Sequence, residues 1–156
     1  MSIRYDLADL VNNMIELEIA GADFYGAQAR RQRNPLLAQL FAQLAEQEKR
    51  HRTVYEGLRS RLAGEGEADE EYRGYLREII DERFRFDPEQ AARCAEPAEV
   101  LELGMNLERD SIRFIDAFGK LTDARHRDTV DQIRQQERNH LQWLQDMKAQ
   151  IEGGKR

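Results

Sequence analysis

The stretch Leu36–Leu62, LLAQLFAQLAEQEKRHRTVYEGLRSRL, decides the fold of this chain. Its apolar residues recur at intervals of three and four, which is typical of an amphipathic α-helix. Glu48 and His51 lie on that apolar stripe, with Leu44 and Phe41 one and two turns before Glu48. A buried carboxylate without a partner costs several kcal/mol. The pattern therefore predicts that Glu48 meets a charged partner or a metal ion inside a helical core.

The rest of the chain has the same helical character. Three prolines and ten glycines leave long uninterrupted segments, and no alternation of β-branched residues is sustained. Four long helices are predicted: Tyr5 to Arg33, Pro35 (behind the cap candidate Asn34) to near Gly64–Gly66, Pro97 to Gly119, and a last one from behind Thr122 to just before Gly153.

The lengths of the connections predict the topology. Short links join the first helix to the second and the third to the fourth, which favours two antiparallel hairpins, at 5–63 and 97–152. The segment 64–96 between them is longer than neighbouring antiparallel helices need, and suits a crossover that runs back along a four-helix bundle. Within it, 69–84 predicts a short extra helix, and Asp87-Pro88 is a candidate start for another turn or two. We expect a single domain over 1–156.

The Glu-x-x-His spacing of the second helix recurs in the fourth. Each member of the second set follows its counterpart by 89 or 90 positions: Glu18 with Glu108, Glu48 with Glu137, and His51 with His140. Apolar residues flank every one of these positions at helical spacing. The chain thus looks like two copies of one hairpin, each with Glu on its first helix and Glu-x-x-His on its second.

Such a set of side chains can hold two cations. Hard divalent or trivalent cations bind carboxylate oxygens and also accept imidazole nitrogen. A four-helix bundle can supply one Glu from each of two helices and Glu-x-x-His from each of the other two, all at one level. Iron, manganese and zinc all accept this set. The residues alone leave a second interpretation open, a bundle whose buried charges pair with one another or lie on solvated faces.

Four segments, in order along the chain, resemble the helices of the ferritin-like superfamily, in particular of rubrerythrin-type di-iron proteins. They are EIAGADFYGAQA (18–29), LFAQLAEQEKRH (40–51), LERDSIRFIDAF (107–118) and IRQQERNH (133–140). The resemblance covers nearly the whole chain and implies a ferritin-like four-helix bundle, with a long crossover and a dinuclear iron site. By motif position, the implied roles are Glu18 and Glu108 as terminal carboxylates, Glu48 and Glu137 as metal bridges, and His51 and His140 as ligands of one metal each.

The chain departs from these relatives at two positions. Rubrerythrins usually carry a further glutamate three residues after the ligand of the third helix, and here that residue is Ser111. The remaining six-residue set is closer to that of bacterioferritins, which bind haem through a methionine where this chain has Lys49. We also expect no rubredoxin domain, because the chain has no Cys-x-x-Cys pair.

Tyr25 stands two turns beyond Glu18 on the same face. It is a candidate to hydrogen-bond a ligand carboxylate or to act as a redox-active neighbour, and equally an ordinary aromatic core residue. Its counterpart in the second hairpin is Ile115, so only one half of the site would have this group. His126, about 16 Å along the helix from Glu137, is expected at the surface near the end of the bundle.

Composition excludes several classes of function. The chain is 35% charged and 40% hydrophobic with a net charge of −6, so it has no basic patch for nucleic acid. No segment approaches the length of an apolar membrane span, and the N-terminus lacks the apolar core of a signal peptide. The single Cys94 permits no internal disulfide, which favours a cytoplasmic location.

Three functions fit these observations. The first is a rubrerythrin-like oxidoreductase with two irons that reacts with O2 or H2O2 and takes electrons from an external donor, such as a rubredoxin-like protein. The second is a ferroxidase or iron-storage protein. The third is a non-catalytic helical module whose metal is structural. A homodimer is the expected assembly.

Overall fold

The computed structural model describes residues 6–62, 70–82 and 84–154. Over these residues the chain consists of α-helices, one 3-10 turn and short links, with no β-strand. The predicted all-α fold class is confirmed. In chain order the helices are α1 (Leu7–Arg31), α2 (Pro35–Leu62), α3 (Glu70–Asp81), α4 (Pro88–Arg93), α5 (Pro97–Leu121) and α6 (Arg127–Gly153), and the 3-10 turn Ala124–His126 precedes α6.

Side-chain caps determine where several helices begin. At α1 the Asp6 carboxylate accepts the Asp9 N–H at 2.9 Å, and the Asp9 carboxylate accepts the Asp6 N–H at 3.1 Å, which forms a capping box. At α4 the Asp87 carboxylate accepts the Glu89 N–H at 3.0 Å, and Pro88 occupies the first helical position. The crossover therefore contains two helices, α3 within the predicted 69–84 and α4 at the candidate start Asp87-Pro88.

Some predicted boundaries are wrong by a few residues. The first long helix ends at Arg31, because Gln32 has extended backbone angles. The third continues past Gly119 to Leu121, and Thr122 caps its end instead of starting the fourth. The fourth includes Gly153. The predicted start at Tyr5 and the predicted end near Gly64–Gly66 lie outside the described residues.

Two antiparallel hairpins build the bundle. Near the end of α2, the Arg59 guanidinium donates to Asn12 at the start of α1, at 3.0 Å. Late in α6, Lys148 lies 3.4 Å from Glu102 near the start of α5. Since the end of each second helix meets the beginning of its first, each pair runs antiparallel, as the short links predict.

The crossover spans the length of the bundle. The Gln28 amide, late in α1, donates to the Cys94 carbonyl just before α5 at 3.1 Å. Thus α5 begins at the level where α1 ends, whereas α2 ends at the level where α1 begins. Asp110 on α5 is buried and accepts the Phe86 N–H at 2.9 Å, which anchors the crossover to the bundle.

One apolar core fills the space between the four long helices. The rings of Phe41, Phe114 and Phe118 are completely buried in it, together with Leu76 from the crossover. No described helix is both long and apolar enough to cross a membrane. The Glu-x-x-His residues lie inside this core, so their helices deliver charged side chains to a place that water does not reach.

Candidate metal centre

Six acidic and imidazole side chains meet at the centre of the bundle. Each is between 0 and 2% exposed: Glu18 on α1, Glu48 and His51 on α2, Glu108 on α5, and Glu137 and His140 on α6. They are the same six that the repeat in the sequence singles out. Their roles as metal ligands remain a prediction, whereas their convergence is a property of the fold.

The six side chains form two overlapping groups. One contains Glu18, Glu48, His51 and Glu137, and ligand atoms within it lie no more than 4.8 Å apart. The other contains Glu48, Glu108, Glu137 and His140 under the same limit. Glu48 and Glu137 belong to both groups, so each hairpin contributes three members to its own group and one to the other. Two shared carboxylates between two sites are what a pair of bridged metal ions requires.

Both histidines face the carboxylates through the same nitrogen. His51 Nδ1 lies 2.8 Å from Glu137 Oε1 and 3.7 Å from Glu18 Oε2. His140 Nδ1 lies 3.3 Å from Glu48 Oε1 and 3.4 Å from Glu137 Oε2. The two rings are nearly parallel, with centroids 5.7 Å apart. The Nδ1 atoms are therefore the candidate metal-binding nitrogens.

Many buried polar atoms of the cluster have no hydrogen-bond partner, although several lie within ion-pair distance of one another. Among the described residues, eight of its atoms lack a hydrogen bond: Glu18 Oε2, both carboxylate oxygens of Glu48 and of Glu137, Glu108 Oε2, and Nδ1 of His51 and of His140. Leaving such atoms unsatisfied is costly, and paired charges or metal ions are the usual remedy. Carboxylate oxygens with imidazole nitrogens suit iron, manganese or zinc. The residues present thus fit a dinuclear metal group.

The proton affinities of the carboxylates diverge. Burial, reinforced by the nearby charge of Glu137, raises the pKa of Glu18 and of Glu48 well above the ordinary value. The same two causes raise the pKa of Glu108 to about 8. Burial acts upward on Glu137 too, but its contacts with Glu108, His140 and His51 hold the pKa of Glu137 well below the ordinary value. One carboxylate therefore stays ionised while its neighbours retain protons.

The histidines retain protons as well. Burial alone would lower the pKa of His51, but contact with Glu137 raises it to about 9. For His140, contacts with Glu108 and Glu137 outweigh burial and raise the pKa to about 12. Without a metal, protons thus hold this cluster together. Metal binding must displace them, since ligands bind in their deprotonated forms.

Two glutamines that the sequence reasoning missed support the histidines. His51 Nε2 lies 2.6 Å from Gln136 Oε1, and His140 Nε2 is hydrogen-bonded to Gln47 Oε1. Each glutamine directly precedes the glutamate of its own helix, and the second follows the first by 89 positions. The repeat is therefore Gln-Glu-x-x-His, and that additional match was available in the sequence.

Tyr25 hydrogen-bonds to one of the predicted ligands. Its hydroxyl donates to Glu108 Oε1 at 2.7 Å and lies 3.3 Å from the Gly104 carbonyl. Its ring stacks on Phe41, with centroids 5.9 Å apart. The equivalent residue of the other hairpin, Ile115, is buried and apolar. The surroundings of the two metal groups therefore differ at this position.

A glycine allows α1 to approach the cluster. A Cβ atom at Gly21, one turn beyond Glu18, would lie 2.9 Å from Leu107 Cδ2 and 3.4 Å from Glu48 Cγ. A larger side chain would push these neighbours away. The glycine thus brings the α1 backbone against the Glu48 side chain.

A cavity of about 410 Å³ lies between α2 and α6. His51, Gln47 and Gln136 form part of its lining, with Arg50 and Trp143. A second cavity, of about 400 Å³, lies between α1 and α4, and none of the six cluster residues lines it. Of these two cavities, the one between α2 and α6 is therefore next to the cluster.

The prediction that His126 lies at the surface is wrong. It is 4% exposed, and its ring centroid lies 6.4 Å from that of Phe118. His126 ends the 3-10 turn before α6 and lies four residues before Val130, so it continues the buried stripe of that helix. It belongs to the end of the apolar core and is separate from the six-residue cluster.

The fold and the cluster together define a ferritin-like helical bundle with carboxylates and histidines arranged for two metal ions. The family model described as Rubrerythrin matches residues 9–148, and the chain belongs to that family. The resemblance inferred from the four helical segments is thereby confirmed.

Among solved structures, the chain is similar to a Thermotoga maritima protein described as ferritin-like and diiron-carboxylate, determined at 2.30 Å. The two share 24% sequence identity with a TM-score of 0.72, over 96% of this chain and 98% of that one. At this identity the likeness supports the ferritin-like fold. Comparison with curated proteins gives no match.

Proposed function

We propose that the cluster binds two iron ions and that the loaded protein is an oxidoreductase that reacts with O2 or H2O2. The observation that carries this proposal is the sharing of Glu48 and Glu137 between two ligand groups of four residues each. Membership of the rubrerythrin family supports iron over manganese and zinc. Two redox-active irons would supply the electrons that reduction of O2 or peroxide requires.

The chain's own residues would bind the metals and balance their charge. Glu18 and His51 would hold one metal, and Glu108 and His140 the other, while Glu48 and Glu137 would reach both. Four carboxylates then neutralise the charge of two divalent cations, which favours their burial. Because all six side chains are at most 2% exposed, bulk water is excluded from the site.

Hydrogen bonds around the cluster would keep the ligands oriented. Tyr25 donates to Glu108, which restrains that carboxylate on the α5 side. Hydrogen bonds of this kind, to groups that bind the metal, tune its affinity and reactivity. Tyr25 is also an oxidisable side chain next to a predicted ligand, so it is our candidate for a redox-active neighbour.

The partners of the protein follow from the same proposal. An external donor, such as a rubredoxin-like protein, would return electrons to the site between turnovers. We further propose a homodimer in the cytoplasm, on the basis of the single cysteine and the general prevalence of two-fold assemblies.

One observation favours ferroxidase or iron-handling activity as a second candidate. Where rubrerythrins usually carry a further glutamate, this chain has Ser111, which is 4% exposed with a hydroxyl that lacks a partner among the described residues. The missing carboxylate leaves six predicted ligands, as in bacterioferritins. A site with fewer anionic ligands holds ferric iron less tightly, which suits release rather than retention.

Anaerobic titration with Fe(II), followed by rapid mixing with H2O2 and separately with O2, tests the proposal. We expect two irons per chain and an oxidised di-iron absorbance that forms faster with one of the two oxidants. Uptake far above two irons per chain would favour storage. Binding of fewer than two irons, or the same binding by Glu137→Ala as by the exposed-site control Glu46→Ala, would contradict the di-iron assignment.

A further inference from the structure

The glutamines beside the cluster contact the opposite hairpin. Gln47 belongs to α2, but its amide oxygen is hydrogen-bonded to His140 of α6. Gln136 belongs to α6, but its amide oxygen lies 2.6 Å from Nε2 of His51 on α2. We propose that these two amides are crossed positioning residues, each of which orients the metal-binding histidine of the other hairpin. The inference rests on the proposed metal centre.

The chemistry of the amide determines which nitrogen can bind metal. An amide oxygen only accepts hydrogen bonds, so the Nε2 atom that faces it must carry the proton. In a neutral imidazole the other nitrogen, Nδ1, then has a free lone pair. In both histidines Nδ1 is the atom that faces the carboxylates. The glutamines therefore favour the tautomer and the ring orientation that metal binding needs.

Because each glutamine contacts the histidine of the other hairpin, a variant of either glutamine should affect the metal ligands of that other hairpin. Gln47 directly precedes Glu48, and a residue that acted only through its own helix would affect Glu48 and His51. The hydrogen bond instead predicts that Gln47 acts on His140, and so on the group that includes Glu108. A variant at Gln47 should therefore behave like a weakened His140 variant.

The two glutamines differ in their exposure to solvent. Gln47 is half-buried, whereas Gln136 is exposed as a whole although its amide oxygen reaches His51. Water can replace a lost acceptor where a site is open to solvent. We therefore expect the loss of Gln47 to matter more than the loss of Gln136. Gln132 lines the same cavity and is exposed, which makes it a matched control.

The test measures equilibrium binding of Co²⁺ to the metal-free full chain by competition with a chelator. Gln47→Leu removes the acceptor of the His140 hydrogen bond. It should lower the affinity for one of the two Co²⁺ ions by about 10- to 100-fold. Gln47→Glu keeps an acceptor, and a carboxylate accepts hydrogen bonds strongly. Its dissociation constants for Co²⁺ should therefore lie within about 3-fold of those of the unaltered chain. The control Gln132→Leu should leave the affinity for both Co²⁺ ions unchanged. If Gln47→Leu fails to fold, Gln47→Met, also without an amide oxygen, takes its place.

A double-mutant cycle tests the crossing itself. Gln47→Leu should have its full effect in a His51→Ala background and almost none in a His140→Ala background. The reverse pattern, or equal effects in both backgrounds, would overturn the inference while leaving the metal centre intact. Failure of the unaltered chain to bind two Co²⁺ ions would overturn the metal centre and this inference together.

Discussion

The hydroxyl of Tyr25 on α1 donates a 2.7 Å hydrogen bond to the Glu108 carboxylate on α5, in a place where both residues are completely buried. This bond joins the two hairpins at the ligand group that contains Glu108 and His140. No equivalent exists for the other group, since Ile115 stands at the repeated position. The near-symmetric cluster is therefore unequal at this point.

Replacing Tyr25 by Phe should destabilise the protein. The variant keeps the ring stacked on Phe41 but leaves a buried Glu108 oxygen without its donor, at a cost of about 1–2 kcal/mol. Urea denaturation of the metal-free chain measures the change. Tyr55→Phe is the control, because Tyr55 is equally buried beside His51. Equal stability of Tyr25→Phe and the unaltered chain would contradict a role for the hydrogen bond.

The stability of the metal-free protein should fall as the pH rises from 6.5 to 9. The pKa of His51 is raised to about 9 and that of Glu108 to about 8, so the folded state holds protons that the unfolded chain has released. Stability decreases with pH wherever the folded state binds more protons. Glu137, whose pKa is lowered, is ionised in both states throughout this range and does not oppose the trend.

His51 and Glu108 should each contribute on the order of 2 kcal/mol, so we expect a loss of about 4 kcal/mol across this range. Urea denaturation in the presence of a chelator at several pH values measures it. His51→Ala serves as the comparison and should show a shallower decline. A stability that rises with pH in the unaltered chain would contradict the assigned proton affinities.

Glu48→Gln should affect metal binding and stability in opposite directions. It removes a carboxylate shared by both metal groups, so binding of two metal ions per chain should be lost. It also replaces a buried carboxyl whose pKa is raised well above the ordinary value, and which must therefore take up a proton on folding at pH 8, by an amide that needs none; this should stabilise the metal-free chain on the order of 1 kcal/mol. Metal analysis and chelator-treated denaturation measure the two effects. The exposed Glu46→Gln should show neither, and retention of two ions by Glu48→Gln would refute the bridging role.

Two glycine variants should change the stability of the protein in opposite directions. Gly57 on α2 has open space where a Cβ would stand, so Gly57→Ala should stabilise the protein by about 0.5–1 kcal/mol. Gly21→Val would press on Leu107 and Glu48 and should cost about 1–3 kcal/mol and weaken metal binding. Thermal denaturation and Co²⁺ titration measure both. If Gly21→Val left both thermal stability and Co²⁺ affinity unchanged, the close approach of α1 to Leu107 and Glu48 would not be needed.

The sequence predicted most of the cluster for a physical reason. Glu48 and His51 break the apolar stripe of α2 at helical spacing, and a second copy repeats the break. Such a violation is visible without a structure because burial of charge is costly. Side chains that contact across helices are harder to find, since Gln47 and Gln136 lie off the stripe and resemble ordinary surface residues. Only the geometry of α2 against α6 reveals their partners.

Local details at helix ends also escaped prediction. Thr122 is a good helix-starting residue, and the sequence reasoning placed it before the last helix. In the structure Asp123 caps a 3-10 turn, and its carboxylate accepts the Arg125 N–H at 2.9 Å. That turn buries His126 against Phe118. Competing caps one residue apart are nearly equal in free energy, so packing decides between them.

Neither hairpin supplies a complete ligand group, because Glu48 and Glu137 each belong to both groups. Each group therefore contains one glutamate from the other hairpin. A bound metal pair would therefore act as a cross-link between the first and second halves of the chain, although no covalent bond joins them there. Separation of the halves would require release of both ions. Amide hydrogen exchange in α2 and α6 should then slow together when metal binds, even for residues several turns from the cluster.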